Sequence, residues 1–260
     1  MKLRSRTIGL VLVPMLLFGI AYVDKTENAA GCDFRTASRE PVGLAPDPRV
    51  HRDAIVQVYA ARAVRWRGYF GVHTWIAVKP RDAERYTVYE VNGWRLRRAG
   101  TAISISDRPP DSRWFGNAPT LVAEIRGEAA ARAIPKIEQA VERYPYADRY
   151  RVWPGPNSNT FVAFVLRDVP EIEADLPPTA IGKDYLGGDF FAPSPSGTGY
   201  QLSAAGVLGV LVAIEEGLEL NLLGLTFGVD VKDLALKLPL AGRIGWPQTF
   251  RRDDDTLEEG

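Results

Sequence analysis

Apolar and polar positions alternate over several short stretches of the chain between residues 54 and 106, which is typical of β-strands. The predicted strands are residues 54–60, 67–79, 86–91, 94–98 and 101–106. Asn92-Gly93 stands between two of them, and both residue types accept the positive φ of a tight hairpin turn. An antiparallel meander is the simplest arrangement of these strands.

After the predicted meander, apolar residues recur at helical spacing in two segments of the chain. A short strand at 121–125 leads into a helical pattern over 127–143, where Pro135 predicts a kink or two shorter helices. Residues 150–153 resemble a strand, and Pro154-Gly155-Pro156 is a sharp turn. Helical spacing resumes over 157–167, so that Asn157 and Ser158, both favoured caps, open the helix. These elements predict an α+β fold whose core spans residues 51–182.

The chain after this core has a different composition. Residues 183–200 are rich in Gly, Pro and aromatic residues, and a functional lid and a simple surface loop both fit them. Residues 201–248 are apolar but contain scattered charges, which argue against a second membrane span. Their alternation favours a two- or three-stranded β extension packed on the core, and a membrane-associated surface is the alternative. The acidic residues 249–260 are typical of a disordered tail.

The N-terminal residues 1–25 have the charge and hydropathy pattern of a secretory signal peptide or a signal anchor. Three basic residues precede an apolar run from Ile8 to Val23. A run of about 16 residues is close to the lower limit for a spanning helix, so a cleaved peptide and a retained anchor both fit. Positive charge ahead of the run predicts a body outside the cytoplasm. We therefore expect an exported bacterial protein that is anchored in the inner membrane or is periplasmic.

The segment 26–50 lacks periodicity and indicates a linker between this N-terminal segment and the core. It contains Cys32, the only cysteine, which follows Ala-Ala-Gly. Lipid attachment at Cys32 is the weaker interpretation, because charged residues separate it from the apolar run. A single cysteine also excludes an internal disulfide, so the exported body is held by its core alone.

Charge and composition exclude several classes of function. Lys and Arg together number 32, as do Asp and Glu, so no net field favours nucleic acid, and we expect no nucleic-acid partner. Two histidines and one cysteine provide no metal-ligand spacing. Gly182-Lys183 lacks the upstream glycine of a phosphate-binding loop. We therefore expect neither a metal nor another cofactor.

His73 and Ser158 are the residues best suited to chemistry. His73 shares one face of a predicted strand with Trp75 and Ala77. Ser158 begins a helix, where the positive potential of the N-terminus stabilises negative charge. Taken singly, a strand histidine is usually structural and a serine at a helix start is usually a cap. Taken together, they look like the two halves of a hydrolase site.

The order of strand histidine, meander, helix, tight turn and polar residue at a helix start resembles the circularly permuted papain-like superfamily. The matching segments are His73-Thr-Trp75 and Asn157-Ser-Asn-Thr-Phe161, within residues 51–180. That superfamily includes cell-wall amidases of the permuted NlpC type, lecithin:retinol acyltransferase-like proteins and PPPDE-type isopeptidases. The body also resembles an uncharacterised family of exported bacterial proteins that carry the signature Trp153-Pro-Gly-Pro-Asn-Ser-Asn-Thr-Phe161.

The papain-like resemblance implies that His73 is the base and that Ser158 occupies the position of the superfamily's cysteine nucleophile. It further implies that Glu90 or Asn92 orients the histidine. The implied oxyanion donors are the backbone N–H groups of Ser158 and Asn159, with Tyr150 or Asn157 as side-chain helpers. Because a hydroxyl needs a well-aligned base to react, two functions follow. One is a serine-dependent amidase, esterase or acyltransferase of the envelope, and the other is a catalytically silent envelope module that binds peptide, glycan or lipid in the same cleft.

Overall fold

The computed structural model describes residues 36–246. Within this range the fold is mixed α/β, with two antiparallel sheets and three α-helices, as predicted at the level of fold class. No helix between residues 36 and 246 has the length and apolar composition needed to cross a bilayer. The predicted signal segment, Cys32 and the whole acidic tail lie outside the described residues.

The first sheet contains four of the five strands that were predicted as a meander, together with the short strand predicted at 121–125. Its strands are β1 (Ile55–Arg62), β2 (Val72–Lys79), β3 (Thr87–Val91), β4 (Ile103–Ser106) and β5 (Thr120–Arg126). They lie in the order β4-β3-β2-β1-β5, and every neighbouring pair is antiparallel. The first four strands therefore follow one another across the sheet, and β5 returns to the free side of β1.

The helices are α1 (Gly93–Ala99), α2 (Gly127–Glu142) and α3 (Ser158–Asp168). Helices α2 and α3 bury an apolar cluster against one face of the first sheet. Of the two outcomes predicted at Pro135, the division into two shorter helices is wrong, because α2 runs through the proline without interruption. Ile134 and Ile137 are buried on either side of the proline, and their packing against the sheet holds both turns in place.

The predicted hairpin at Asn92-Gly93 and the strand after it are also wrong. Asn92 is the N-cap of α1, and its Oδ1 accepts a hydrogen bond from Arg95 N at 3.1 Å. Gly100 ends the helix with a φ of 70°, the left-handed conformation that glycine adopts at no steric cost. Asn and Gly serve helix caps as well as hairpin turns, so the dipeptide alone does not distinguish the two.

The second sheet is larger than the predicted β extension. It contains seven strands, each antiparallel to the one before it along the chain. They are β6 (Phe191–Pro193), β7 (Gly199–Ala204), β8 (Leu208–Ala213), β9 (Gly217–Leu222), β10 (Leu225–Asp230), β11 (Ala235–Leu238) and β12 (Gly242–Gly245). Strand β6 lies inside the segment that was predicted as a loop, so the extension begins earlier and has more strands than expected.

Buried ion pairs join the second sheet to the segment after α3. Lys237 Nζ donates to Asp175 Oδ1 at 2.7 Å and to Glu219 Oε1 at 2.8 Å. Lys183 Nζ donates to the same Glu219 oxygen at 2.9 Å, and all four side chains are buried. Burial opposes the charged form of Glu219, but the charges of Lys183 and Lys237 outweigh it and lower its pKa. The carboxylate is therefore ionised and bridges two lysines.

We predict that Glu219→Leu destabilises the protein by about 3–5 kcal/mol, because it leaves two buried lysines without their shared carboxylate. The measurement is the free energy of unfolding from urea titration followed by circular dichroism. Glu215→Gln is the matched control, since its partner Lys232 is partly exposed at the end of the same sheet, and we expect a loss of about 1 kcal/mol or less. Equal losses in the two variants would contradict a special role for the buried network.

Candidate functional site

His73 lies near the beginning of β2 and is paired with an acidic residue on β3. Its Nε2 is 2.9 Å from Glu90 Oε2, and both side chains are buried. Arg108, in the loop between β4 and β5, approaches the same carboxylate oxygen with Nη2 at 3.5 Å. Of the two acceptors expected for His73, Glu90 makes the contact, whereas Asn92 caps α1.

Aromatic rings hold the imidazole in place. The ring of His73 stacks on Trp114, with centroids 3.6 Å apart and planes inclined by 9°. Trp114 in turn stacks on Trp94 at 5.6 Å. The guanidinium of Arg108 lies 4.8 Å from the ring centroid of Trp75, so the charge next to Glu90 is itself fixed by an aromatic face. The histidine therefore has one well-defined orientation.

The environment of His73 favours a neutral ring beside an ionised carboxylate. Burial lowers the pKa of His73 and Arg108 adds to this effect, while Glu90 opposes it. Burial alone would raise the pKa of Glu90, but hydrogen bonds and charges from His73 and Arg108 outweigh burial and lower it. A neutral ring next to a carboxylate carries its proton on Nε2 and donates it to Glu90. Nδ1 then presents a lone pair, and it has no hydrogen-bond partner among residues 36–246.

The first turn of α3 is fixed by a capping box. Asn157 Oδ1 accepts from Asn159 N at 2.9 Å and from Thr160 N at 3.2 Å. Thr160 Oγ1 accepts from Asn157 N at 3.1 Å, which completes the reciprocal pair. Asn157 Nδ2 donates to the carbonyl oxygens of Val152 and Ile181, at 3.1 and 2.9 Å. The cap therefore also fastens the turn before the helix and the chain after it.

Residues 150–153, predicted as a strand, are irregular in the structure. The Arg151 N–H donates to Pro156 O at 2.8 Å, across the Pro154-Gly155-Pro156 turn. This segment is therefore shaped by the turn and by the Asn157 cap rather than by a sheet, which explains why its β-like composition was misleading.

The first turn of α3 is also tied to β2 on both sides of His73. Asn159 Nδ2 donates to Val72 O at 3.1 Å, and Thr74 Oγ1 donates to Asn159 Oδ1 at 3.0 Å. Thr74 Oγ1 also approaches Ser158 O at 3.3 Å. The strand alternates, so Thr74 faces α3 whereas His73 projects among Trp75 and Trp114. The backbones of His73 and Ser158 thus lie at the same end of β2.

Ser158 itself is almost completely buried, with 3% of its surface exposed. Its hydroxyl makes no hydrogen bond to any of residues 36–246, and this includes His73. The amide donors of Asn157 and Asn159 are taken by backbone carbonyls, as described above. The structure therefore gives both asparagines a structural role and leaves the serine hydroxyl without an assigned partner.

Tyr150, the remaining predicted site residue, lies close to the beginning of α1. A Cβ added at Gly93 would come within 2.8 Å of its ring, so the glycine permits this close approach. Burial raises the pKa of Tyr150; Arg67 lowers it and Glu90 raises it further. The phenol is therefore protonated at neutral pH and lies near enough to Glu90 to sense its charge.

Arg108 is the site residue that sequence reasoning missed. It stands in a loop just before Pro109-Pro110, where no periodicity marks it. Nothing in the sequence distinguishes it from the other basic residues of the chain. Only the folded chain shows that it shares Glu90 with His73.

A cavity of about 410 Å³ lies beside the beginning of β2. Gly71, Val72 and Thr179 line it, together with Asn117 and the segment 240–242. Neither His73 nor Ser158 contributes to its wall. The cavity is therefore adjacent to the site through Val72 but separate from the two candidate reacting groups.

A family model described as a protein of unknown function (DUF3750) matches residues 53–185, just over half of the chain. The chain belongs to this family. The match includes His73, Glu90 and Ser158 and ends before β6, so the second sheet lies outside it. No curated protein and no solved structure shows significant similarity to the chain. The expectation of an uncharacterised family is thereby confirmed.

We predict opposite effects of the two neighbours on the pKa of His73. Glu90→Gln removes the contributions that raise this pKa and lowers it further, whereas Arg108→Gln removes a positive charge and raises it. The measurement is a side-chain nitrogen NMR titration, which also reports the Nε2–H form of the neutral ring. An unchanged pKa in both variants would show that burial alone controls the histidine, and a shift in the same direction would contradict the opposite roles of Glu90 and Arg108.

Proposed function

We propose that the protein is a cell-envelope hydrolase or acyltransferase that acts on amide or ester bonds through Ser158 and His73. The observation that carries the proposal is the hydrogen bond from His73 Nε2 to Glu90, because it orients the ring and leaves Nδ1 as the base. This base stands at the end of β2 to which the first turn of α3, with Ser158, is tied.

We further propose that residues 51–182 form a permuted papain-like core. The order of parts supports this: a strand histidine, an orienting acid on the next strand, and a polar residue at a helix N-terminus. Pairing of β2 with β3 begins only at Ile76, so no β3 residue pairs beside His73. His73 projects to the face of β2 away from α3, so the proposal requires Ser158 Oγ to reach Nδ1 past the strand, through this gap.

In the proposed reaction Ser158 Oγ attacks the carbonyl carbon of the substrate while His73 Nδ1 takes the hydroxyl proton. The Glu90 carboxylate stabilises the resulting imidazolium. Collapse of the tetrahedral intermediate breaks the bond to the amine or alcohol, which leaves with the proton from Nδ1. Water, or a second amine or alcohol, then attacks the acyl-serine with Nδ1 as base. This step releases the acid or the transferred acyl product and restores the serine hydroxyl.

Negative charge on the carbonyl oxygen needs donors at the start of α3. Asn157 Oδ1 already accepts from the N–H groups of Asn159 and Thr160. We therefore assign the oxyanion to the Ser158 N–H, which lies in the positive field of the helix N-terminus. Tyr150 remains a second proposed donor, because its raised pKa keeps the phenol protonated.

A catalytically silent binding module is the second candidate. It is favoured by the cavity of about 410 Å³, which is large enough for part of a peptide, glycan or lipid and is lined by neither Ser158 nor His73. In that case the His73–Glu90–Arg108 group would serve to stabilise the sheet beside the cavity.

For either function we propose that the N-terminal segment directs the body out of the cytoplasm and holds it at the inner membrane.

We predict that a fluorophosphonate probe labels the protein and that Ser158→Ala abolishes the labelling. His73→Ala should slow the labelling about a hundredfold or more, because the hydroxyl loses its base. Ser104→Ala is the control and should label like the parent protein. Labelling is measured by intact-mass spectrometry over time. Absence of labelling in a parent protein that still binds a ligand would favour the silent module.

A thiol at position 158 gives a more sensitive test of the same environment. In a Cys32→Ser background, Ser158→Cys should react with iodoacetamide near neutral pH faster than Ser104→Cys, because the helix N-terminus and His73 favour a thiolate. His73→Ala should remove this advantage. Because Ser158 is buried, the deciding comparison is within that position: an alkylation rate at Ser158→Cys that His73→Ala leaves unchanged would exclude activation by the histidine.

A further inference from the structure

The outer face of the second sheet is apolar and exposed. Along β9, Leu218, Leu220 and Leu222 are exposed, while Glu219 and Asn221 between them are buried. The same alternation holds in β7, β8 and β11, where exposed apolar residues alternate with buried positions that are mostly polar or glycine. The sheet is therefore amphipathic with its polarity inverted: charged residues face the protein and leucines face outward.

The strand register aligns these residues into continuous rows. One row crosses six strands through Tyr200, Val212, Leu218, Val229, Leu236 and Ile244. A second row passes through Phe191, Leu202, Val210, Leu220 and Phe227. With about 4.8 Å between neighbouring strands, seven strands make a face about 29 Å wide. Monomeric soluble proteins rarely expose an apolar patch of this extent.

We infer that this face lies on a lipid bilayer, with the sheet parallel to the membrane plane and its apolar side chains in the interfacial region. The rows carry no charged or amide side chain. A protein interface of comparable size usually includes a hydrogen bond for every 100–200 Å² or so. A face without such groups suits a fluid apolar phase better than a second protein surface.

The unpaired backbone groups at the edges of the sheet limit how deeply the face can enter the bilayer. Strands β6 and β12 are the edges of the sheet, and their outer backbone groups have no strand neighbour in the described fold. Unpaired backbone groups are very costly in hydrocarbon, so the sheet cannot insert across the bilayer. Side chains that reach into the interface from a sheet lying on the membrane surface avoid this cost.

The position of the N-terminal linker supports contact with the same membrane. Residues 24–35, between the predicted anchor and the described body, span at most about 40 Å. The body begins beside the loop after β4, where the Gly116 N–H donates to Ser38 O at 2.9 Å. Gly116 lines the same cavity as residues 240–242, the turn between β11 and β12. The linker therefore enters the body close to one edge of the second sheet.

Aromatic residues border the face at both edges. Phe191 and Tyr200 stack at 5.3 Å on β6 and β7, and both are exposed. Trp246, directly after β12, has 71% of its surface exposed. Aromatic rings at the margins of an apolar surface are typical of residues at the membrane–water interface. The face thus has an apolar centre and aromatic margins.

The test uses the full chain in vesicles of phosphatidylethanolamine and phosphatidylglycerol that contain nitroxide-labelled lipid. In a Cys32→Ser background, an environment-sensitive fluorophore is attached at Leu218→Cys or at Glu142→Cys, an exposed position on α2. We expect blue-shifted emission and strong quenching by the nitroxide at position 218, and neither at position 142. Both proteins carry the same N-terminal segment, so the difference reports the sheet.

A probe at position 218 that is not quenched overturns the inference. If its emission is blue-shifted without quenching and light scattering gives a dimer mass, the occupant of the face is a second copy of the chain. If its emission is that of a water-exposed probe, the face is uncovered. Adding Val210→Glu and Leu220→Glu should abolish quenching at position 218 without changing the circular dichroism spectrum, since both positions are exposed.

Discussion

Two asparagine side chains determine the geometry around the candidate site. Asn157 and Asn159 both donate to the carbonyl oxygen of Ile181, and through their other bonds they reach the turn before α3 and the end of β2. Each amide is buried and uses both of its N–H donors. Because a buried amide without partners is costly, the first turn of α3 has one stable position. The place of Ser158 relative to the strand that carries His73 depends on this pair of amides.

The sequence predicted best those helices and strands in which apolar residues recur with a regular spacing and are buried. Helix α3 was placed within one residue at each end, because helical spacing around Phe161 agrees with local propensity. Strand β2 was predicted to its correct end but five residues too early, since residues 65–69 form a 3-10 helix. Asn157 was identified as a cap, and the papain-like resemblance implied Glu90 or Asn92 as the residue that orients His73. These features are local or concern neighbouring strands, where sequence order limits the alternatives.

The features that were missed depend on contacts between distant segments. Asn92-Gly93 was assigned to a hairpin because the dipeptide suits both a turn and a helix cap, and only the packing of α1 decides between them. Arg108 and the buried Glu219 network join residues far apart in the chain, so no periodicity reveals them. The amides of Asn157 and Asn159 also look like free polar groups in the sequence. Their partners are backbone carbonyls, whose positions only the fold defines.

The buried network beneath the second sheet also determines which way the sheet faces. A strand with perfect alternation has two possible faces, and a one-residue register slip exchanges them. Glu219 and Lys237 are bound to Lys183 and Asp175, so the exchange would leave two charges in the protein interior without partners. The network therefore selects which face of the sheet packs against the rest of the protein. It compels the leucine rows outward even though hydrophobicity alone would turn them inward.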